Sequence, residues 1–424
     1  MAFAASLSGL NGASTAIDII GNNISNLQTV GFKTSKARFA DVLAASLPGA
    51  PSAELASAGV SVAVTRRNEQ GGVAQSDNPL DMAISGMGFF RLNKGGEITY
   101  SRDGRFQLAY DASSPDTRVL VNPTGRNVTG YPATYATDPQ GVIVTAGAPQ
   151  DISIDLVMPA SATSQVSLGV SLDARSAPPL TAPFDPANPL SYNSATGLTV
   201  YDDAGAAHDL RMYFAKPGAG NVWDLHTTLD GGSQTGPVNV GFGTDGLLAT
   251  TMPLAAQTYA LGSGGSLSVA LDFTGTVQYG QTFHVDSMTQ DGWREGTIDS
   301  SSGFSVGNDG VIVGYYTNGQ SRKVAQLVLA NFINPDAMIG LGDSQWRANE
   351  DPVRGSGEEI LDVPGGRLGG NGLGSIQGWA TEQSNVDLNA ELVALIEQQR
   401  NYQASAQTFK ILDEVMQNLA NMGR

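Results

Sequence analysis

Apolar side chains recur at helical spacing within the first thirty residues of the chain. The intervals between them are three, four or seven residues, and Ile20 lies beside the same stripe. Such a stripe is typical of an amphipathic helix that packs against another helix. The repeat is imperfect, because Ser14 and Gly21 occupy two of its positions. The stripe consists of Phe3, Leu7, Leu10, Ile17, Ile24 and Leu27.

A second helical pattern lies at the other end of the chain, in residues 384–424. Because the apolar part of this segment contains no glycine or proline, the pattern predicts a long helix with a wide apolar face. The tetrapeptide SNVD supplies a start signal: Ser384 or Asn385 can cap the helix, and Asp387 suits the positive end of the helix dipole. The apolar stripe consists of Leu388, Leu392, Leu395, Tyr402, Phe409 and Met416.

The N-terminal helix is expected to be unstable when it stands alone. Gly9, Gly12 and Gly21 each cost about 1 kcal/mol relative to alanine in a helix interior, and isolated helices are marginal in water. Its apolar side chains contribute about 1.5–3 kcal/mol apiece only when another surface covers them. We therefore expect the segment to become ordered on docking, on the C-terminal helix, on a neighbouring subunit, or on both. A helical hairpin that closes one domain of a monomer fits the spacing equally well.

Between the two ends, apolar and polar positions alternate, which predicts β-strands. Asp230-Gly231 and Asn318-Gly319 are hairpin turn signals, so the middle of the chain is predicted to be antiparallel β. Crossovers are expected at residues 176–189 and 364–374, which are rich in proline and in glycine. The strands would form domains inserted between the two helices, which predicts an elongated molecule. The clearest alternating segments are LRMYFA (210–215), VWDLHTTL (222–229) and SLSVALDF (266–273).

The composition narrows the class of protein. The chain has 424 residues, enough for two or three domains, and its 52 glycines predict many tight turns. The formal net charge is −17 and lies mostly between the two ends, which disfavours nucleic acid and anionic lipid as partners. The sequence has no cysteine, which excludes disulfides, thiolate catalysis and cysteine metal sites. The N-terminus resembles neither a cleavable secretion signal nor a membrane span.

No motif in the sequence assembles a reactive site. GFGTDG (241–246) matches a dinucleotide-binding fingerprint without the following helix, so it is interpreted as strand, turn and strand. GFSVG (303–307) matches a nucleophile elbow, but no histidine follows it, and it is interpreted as a strand that leads into a turn. Asp202 and Asp203 are predicted to lie in a solvated turn. We expect no catalytic residue, no cofactor and no metal, and hence no enzyme. The histidines stand singly, without metal-ligand spacing, at His208, His226 and His284.

Four segments of the sequence resemble segments of the bacterial flagellar rod and hook axial proteins, and they follow the same order as in that family. NNISNLQTVGFK (22–33) is similar to the N-terminal signature of that family, and residues 384–422 are similar to its C-terminal helix. NPLDMAISGMGFF (78–90) and YSRDGRF (100–106) are similar to two further segments. Thr381 stands where the family usually has a leucine, which bears only on local packing before the last helix. The signature residues are Asn22, Asn23, Asn26, Gly31, Phe32, Lys33, Ser384, Asn385, Val386 and Asp387.

The central segments resemble the hook members of this family in particular. Residues 200–231 and 314–335 are similar to an insertion that the shorter rod proteins lack. The resemblance implies a structural subunit, exported by the flagellar type III apparatus without a cleaved signal. It would polymerise beneath a cap into a curved tube outside the cell, a flexible coupling between motor and filament. Its partners would be copies of itself, the rod, the hook cap, the hook-filament junction proteins and the export apparatus.

The expected fold class is multidomain α+β, with a coiled-coil terminal domain built from both chain ends and antiparallel β domains nested between them. The resemblance places the paired helices in an inner tube. A distal rod protein and a secreted β-rich adhesin anchored by a coiled coil are the alternatives. The expected domains are residues 1–30 with 384–424 (paired helices), 31–72 (connector), 73–150 with 291–383 (discontinuous β domain) and 151–290 (inserted outer β domain).

Overall fold

The chain is mostly β-structure, with one long helix at each end. The computed structural model describes residues 2–43, 57–111, 114–136, 138–218, 220–262, 264–299, 303–351, 355–364 and 373–422. The helices are α1 (Ala2–Ser25) and α2 (Leu388–Met422). Two compact units divide the chain between them. Unit 1 comprises Met1–Leu156, Ser300–Tyr315 and Ser321–Arg424, and unit 2 comprises Val157–Asp299 and Tyr316–Gln320.

The strands follow one another along the chain with short connections. The first part of unit 1 contains β1 (Ser35–Leu43), β2 (Ser57–Arg66), β3 (Val73–Gln75), β4 (Met82–Ser85), β5 (Phe89–Lys94), β6 (Glu97–Ser101), β7 (Gln107–Tyr110), β8 (Thr117–Val121), β9 (Asn127–Thr134), β10 (Val142–Ile143), β11 (Gln150–Asp151) and β12 (Ser153–Asp155). Unit 2 contains β13 (Val157–Met158), β14 (Gln165–Asp173), β15 (Ser194–Tyr201), β16 (Ala207–Ala215), β17 (Val222–Leu229), β18 (Ser233–Gly241), β19 (Gln257–Ala260), β20 (Ser266–Asp272), β21 (Val277–Tyr279), β22 (His284–Gln290) and β23 (Gly296–Thr297). Unit 1 then resumes with β24 (Phe304–Val306), β25 (Val311–Tyr315), β26 (Ser321–Leu327), β27 (Leu329–Phe332), β28 (Ile339–Gly342), β29 (Gln345–Arg347), β30 (Glu359–Asp362), β31 (Ser375–Gly378) and β32 (Ala380–Glu382).

Unit 1 is built around a sheet of 15 strands within the described residues. Its central path runs β24-β25-β26-β9-β5-β6-β29-β28. The early strands β9, β5 and β6 therefore lie between strands that come after unit 2 in the sequence. Aromatic side chains fill the core beneath it, where the rings of Tyr100 and Phe332 meet edge to face with centroids 4.8 Å apart. Such contacts add stability beyond the burial of apolar area. The two distant parts of the sequence are therefore joined in one sheet with a shared core.

Two small pairs of strands connect the helices to this sheet. β3 pairs with β32, and β4 pairs with β31, so the chain that enters α2 lies beside the chain that leaves the connector. The connector itself contains an antiparallel hairpin of β1 and β2, which pack against α1. This hairpin was not predicted from the sequence, although the alternation in GVSVAVTR (59–66) indicates a strand.

Unit 2 is a pair of sheets that share one core. The first sheet has the order β19-β20-β14-β21 with β22 beside β14, and the second has the order β15-β16-β17-β18. The expectation of purely antiparallel strands is wrong here, because β14 pairs in parallel with β20 and β21. The physical reason is the route of the chain: after β14 it builds the second sheet and then returns, and such a crossover permits parallel pairing.

The alternating segments of the sequence bury the faces that their pattern predicts. In β16, Leu210, Met212 and Phe214 are buried, and in β17 Trp223 and Leu225 are buried opposite them. Asp230 and Gly231 have positive φ, +54° and +69°, and the Gly232 amide donates to the Leu229 carbonyl oxygen at 2.9 Å, as in a turn of type I′. The predicted strands and their hairpin turn are therefore confirmed.

The two motifs interpreted as turns are also found as turns. Residues 243–246 close a turn after β18, where the Gly243 amide donates to the Leu247 carbonyl oxygen at 2.8 Å. After β24, the Gly307 amide donates to the Val311 carbonyl oxygen at 2.9 Å and starts the next hairpin. The predicted crossover at 176–189 connects β14 to β15, whereas residues 365–372 of the other crossover lie outside the described residues.

Candidate assembly junction

Three buried charged side chains meet where the N-terminal signature reaches the start of the last helix. Glu382 contacts the Lys33 Nζ through Oε1 and the Arg102 Nη1 through Oε2, the latter at 3.1 Å. The side chains of Lys33 and Glu382 are fully buried, and that of Arg102 is 3% exposed. We call Lys33, Arg102 and Glu382 the junction cluster. It joins residues that are 349 positions apart in the sequence.

Three hydrogen bonds to backbone groups support the junction cluster, while Arg102 Nε is buried without a hydrogen-bond partner among the described residues. Lys33 Nζ donates to the Glu69 carbonyl oxygen at 2.7 Å, and Arg102 Nη2 donates to the Gly86 carbonyl oxygen at 2.8 Å. The Gly71 amide donates to Glu382 Oε1 at 2.9 Å. Burial lowers the pKa of the Lys33 ammonium, and the Glu382 carboxylate opposes that shift. With two cations and one carboxylate, the cluster depends on Glu382 to offset the cost of burying positive charge.

Side-chain amides attach both helix ends to the connector. Asn23, which is buried, donates to the Ser35 carbonyl oxygen at 2.8 Å and accepts from the Ser35 amide at 3.0 Å, as a neighbouring strand would. Asn385 accepts from the Thr34 amide at 2.8 Å and donates to the carbonyl oxygens of Arg67 and Glu69. These bonds connect the end of α1, the connector and the residues that precede α2.

Gly31 lies where a side chain has no room. Its φ is +70°, and a Cβ atom would lie 2.5 Å from the Asp103 amide nitrogen and 2.7 Å from the Arg102 carbonyl carbon. Its amide donates to the carbonyl oxygen of Glu382 at 2.8 Å. Glycine at position 31 therefore allows the segment that leads to Lys33 to pass close to the backbone of Arg102.

Three further signature residues line a groove of about 630 Å³ in unit 1. Asn26 donates to Asn22 Oδ1 at 2.7 Å, which closes the last turn of α1, and Phe32 lies half-buried in the same wall. The opposite wall contains Arg66, whose guanidinium lies 5.3 Å from the centroid of the Trp346 ring.

The start of α2 corrects the predicted cap. Asp387 Oδ1 accepts from the amides of Asn389 and Ala390 at 3.0 and 3.2 Å, so Asp387 is the N-cap. Ser384 accepts from the Val386 amide at 3.4 Å and does not cap the helix, and Asn385 bonds to the connector instead. Both possible caps lie too early because the strand pairing of β32 extends the chain up to Glu382. Val386 is buried and Asp387 is exposed.

The helices pack through smaller residues than the predicted stripe contains. On α1, Ala13, Ala16 and Ile20 are buried, and a Cβ atom on Gly9 would lie 3.5 Å from the Ser405 Oγ of α2. Ala16 and Ile20 line a cavity of about 200 Å³ together with Ala390 and Ala394 of α2. Small residues at spacings of three and four, which permit close approach of helices, are the signal that sequence reasoning overlooked.

The predicted stripe residues divide between buried and exposed surroundings in the single chain. The side chain of Phe3 lies outside the described residues, and Leu7 is exposed. The half-buried members are Leu10, Ile17, Ile24, Leu27, Leu395 and Phe409. The members of α2 that remain exposed are Leu388, Leu392, Tyr402 and Met416.

The histidines occupy three different environments in unit 2. His208 lies between two carboxylates, with Nδ1 2.7 Å from Asp230 Oδ2 and Nε2 3.3 Å from Asp202 Oδ2. His226 is buried and stacks on Phe184, with ring centroids 4.1 Å apart. The prediction of a solvated turn is wrong for Asp202, which is buried because it also accepts the amides of Ala204 and Ala206. Among the described residues, no group of three His, Asp or Glu side chains is arranged to hold a metal ion.

We expect unit 2 to lose stability as the pH rises above about 6.5. The hydrogen bond to Asp230, supported by Asp202, raises the pKa of His208 above its ordinary value. Its stabilising contribution is complete below the unfolded pKa of about 6.5 and is lost as the pH rises through the folded pKa. Calorimetry of the full chain should show that the melting temperature of unit 2 falls with rising pH, and His208→Gln should remove this slope. His284→Gln, at an exposed pair with Asp286, is the control and should leave the slope intact.

Comparisons with known proteins agree with this arrangement of chain ends. Residues 3–33 match the family model of the flagella basal body rod protein, and residues 377–422 match that of the flagellar basal body rod FlgEFG protein C-terminal. Residues 171–293 match the flagellar basal body protein FlaE D2 domain. The two matched ends are the segments that meet at the junction cluster. The fold and the junction therefore define a flagellar rod and hook axial protein.

Full-length relatives specify the family. The chain is 36% identical over 430 residues to the flagellar hook protein FlgE of Escherichia coli strain K12, and 35% identical over 431 residues to that of Salmonella typhimurium, with both chains covered completely. It is 28% identical over 458 residues to the flagellar hook protein FlgE of Borreliella burgdorferi. The chain belongs to the flagellar hook protein family and is a structural subunit of the bacterial flagellar hook. The distal rod alternative is not favoured.

A solved structure supports the fold. The crystal structure of the Helicobacter pylori flagellar hook protein FlgE2 matches 73% of this chain and all of that chain, with a TM-score of 0.50 and 15% identity. Neither described helix is long and apolar enough to cross a membrane.

Proposed function

We propose that α1 and α2 of many copies pack together into the inner wall of a helical tube. The observation that carries this proposal is the uncovered apolar surface of α2, where Val393, Ile396, Ile411 and Met416 are 66%, 53%, 60% and 63% exposed. A long helix that presents apolar side chains beyond the face it packs against one neighbour needs a second covering surface. Since the chain is a hook subunit, further copies of the same helices supply that surface.

The expected domains fit this assembly. The paired helices of residues 1–30 and 384–424 form the coiled-coil inner domain, and residues 31–72 connect it to the β domains. Residues 73–150 with 291–383 form one β domain, and residues 151–290 form an outer β domain nested within it. The residues of the two apolar stripes are the assembly contacts of the inner domain. The signature residues fix the geometry of the junction.

The polymer is a curved tube outside the cell that transmits motor torque to the filament. Its outer domains slide against neighbouring copies as the tube bends. The subunit leaves the cell through the flagellar type III export apparatus, to which a first helix of low intrinsic stability and a chain without cysteine are suited. At its ends the tube meets the rod, the hook cap during growth, and the hook-filament junction proteins.

Deleting residues 1–30 is expected to abolish polymerisation while the β-structure remains folded. The truncated chain loses α1 and with it a cover of α2, whereas the sheets of unit 1 and unit 2 keep their described pairings. Circular dichroism checks the fold, and electron microscopy with sedimentation checks the polymer. Tubes grown by the truncated chain would contradict the proposed role of the helices.

A single substitution provides a sharper form of the same test. Val393→Glu adds a charge within the exposed apolar surface of α2, and Gln399→Glu adds the same charge at an exposed polar position of the same helix. We expect the first to raise the critical concentration for polymerisation much more than the second, because a buried unpaired charge is costly. Equal effects would indicate that the apolar surface is not covered in the polymer.

A further inference from the structure

Trp379 has a backbone conformation that is unusual for its residue type. Within the described part of the chain, the non-glycine residues with positive φ are Asp230, Asp343, Ser344 and Trp379. Asp230 lies in the turn between β17 and β18, and Asp343 and Ser344 lie in the turn between β28 and β29, where the turn geometry requires positive φ. Trp379 lies instead between β31 and β32, with a φ of +56°. For a bulky side chain this region is disfavoured by about 1–2 kcal/mol, and glycine would adopt it without strain.

The surrounding structure holds Trp379 in this conformation. The Ser76 amide donates to its carbonyl oxygen at 2.8 Å, and the Ala380 amide donates to the Asp81 carbonyl oxygen at 3.3 Å. Because β31 pairs with β4 and β32 pairs with β3, the chain must turn sharply at residue 379. The fold therefore needs a left-handed residue at this position, but nothing in that requirement calls for an indole ring.

The indole of Trp379 is only partly buried within its own chain. Trp379 is 42% exposed, whereas Trp223 is fully buried and Trp346 is 5% exposed. A tryptophan contributes to stability mainly through the large area it removes from water. A ring that is 42% exposed still leaves a large apolar surface that its own chain does not cover. Residues that combine strain with exposure are concentrated at functional sites.

We propose that the indole of Trp379 is an anchor that packs into a second copy of this chain. The inference rests on the proposed function, since a hook subunit is surrounded by copies of itself. Tryptophan is among the residues most enriched at the energetic centres of interfaces, and a fixed backbone lowers the entropy cost of binding. Trp379 is close to the junction cluster, because the paired strand β32 follows it directly and ends at Glu382. Val73, on the paired strand β3, adds a 38% exposed apolar side chain beside this segment.

The test compares the stability of the subunit with its ability to polymerise. Trp379→Gly removes the indole and also relieves the backbone strain, which offsets part of the lost burial, so we expect the subunit to stay folded with at most a modest fall in melting temperature. Its critical concentration in seeded polymerisation, measured by sedimentation, should rise about tenfold or more. Trp379→Phe keeps an aromatic anchor and should recover most of the loss. Asp343→Gly relieves the same backbone conformation at another exposed residue and serves as the control for the backbone change.

A spectroscopic measurement on the full chain gives an independent readout. Polymerisation should protect the tryptophan fluorescence of the wild-type chain from quenching by acrylamide. Trp379→Phe should remove most of this protection because the other tryptophans are less exposed. Two results would overturn the inference: polymerisation of Trp379→Gly at the wild-type concentration, or loss of its fold under the assay conditions, which would show that the indole is needed by its own chain. If the wild-type chain itself formed no polymer, the proposed function would fail, and this inference would fail with it.

Discussion

Glu382→Gln is expected to lower the free energy of unfolding of unit 1 by about 3–5 kcal/mol. The substitution keeps the shape of the side chain and an oxygen that can accept the Gly71 amide, but it removes the one negative charge of the junction cluster. Lys33 and Arg102 are then two buried cations without a carboxylate. Burial already lowers the pKa of both groups, with Glu382 as the opposing influence, so its loss leaves the desolvation cost uncompensated.

Urea denaturation and hydrogen exchange of the amides around residues 31–34 and 380–383 measure this loss. The matched control is Glu69→Gln, because Glu69 forms an exposed ion pair with Arg67, and exposed pairs contribute at most about 1 kcal/mol. The double variant Glu382→Gln with Lys33→Met returns the cluster to a single positive charge and should recover part of the stability. If Glu382→Gln cost no more than Glu69→Gln, the junction cluster would not stabilise the connection between the chain ends.

The part of this fold that the sequence predicts is the part governed by local periodicity. Alternation identified β16, β17 and β20, and the Asp230-Gly231 dipeptide identified the turn that follows β17. Both terminal helices were predicted from their apolar spacing. These features depend on neighbours within a few residues, so one sequence is sufficient to predict them.

The features that were missed depend on residues far apart in the chain. The parallel pairing of β14 follows from the route of the chain through a second sheet, which no local pattern records. The cap of α2 moved to Asp387 because the connector engages Asn385. Within the site, Lys33 was identified as part of a signature, but its partner Glu382 was not. No spacing rule relates two positions that are 349 residues apart in the sequence.

Gly31→Ala is expected to destabilise unit 1 by about 2–5 kcal/mol. A left-handed conformation costs a non-glycine residue about 1–2 kcal/mol, and forcing a methyl group into a packed site typically adds about 1–3 kcal/mol. The added Cβ would lie 2.5 Å from the Asp103 amide nitrogen and 2.7 Å from the Arg102 carbonyl carbon, so backbone must move rather than a flexible side chain. That movement displaces the segment from which Arg102 reaches Glu382.

Gly125→Ala isolates the steric part of this effect. Gly125 has nearly the same conformation, with φ +74°, but nothing lies within 4 Å of the position of its Cβ. The free energy of unfolding of this variant should therefore fall by only about 1–2 kcal/mol, the cost of the left-handed conformation. The difference between the two variants, measured by urea denaturation, is the contribution of close backbone approach at the junction. Equal losses would mean that the connector can shift at no cost, and that Gly31 is needed for its conformation alone. A larger loss at Gly31 would show that the N-terminal signature has glycine at position 31 because the chain there passes directly against the backbone of Arg102 and Asp103.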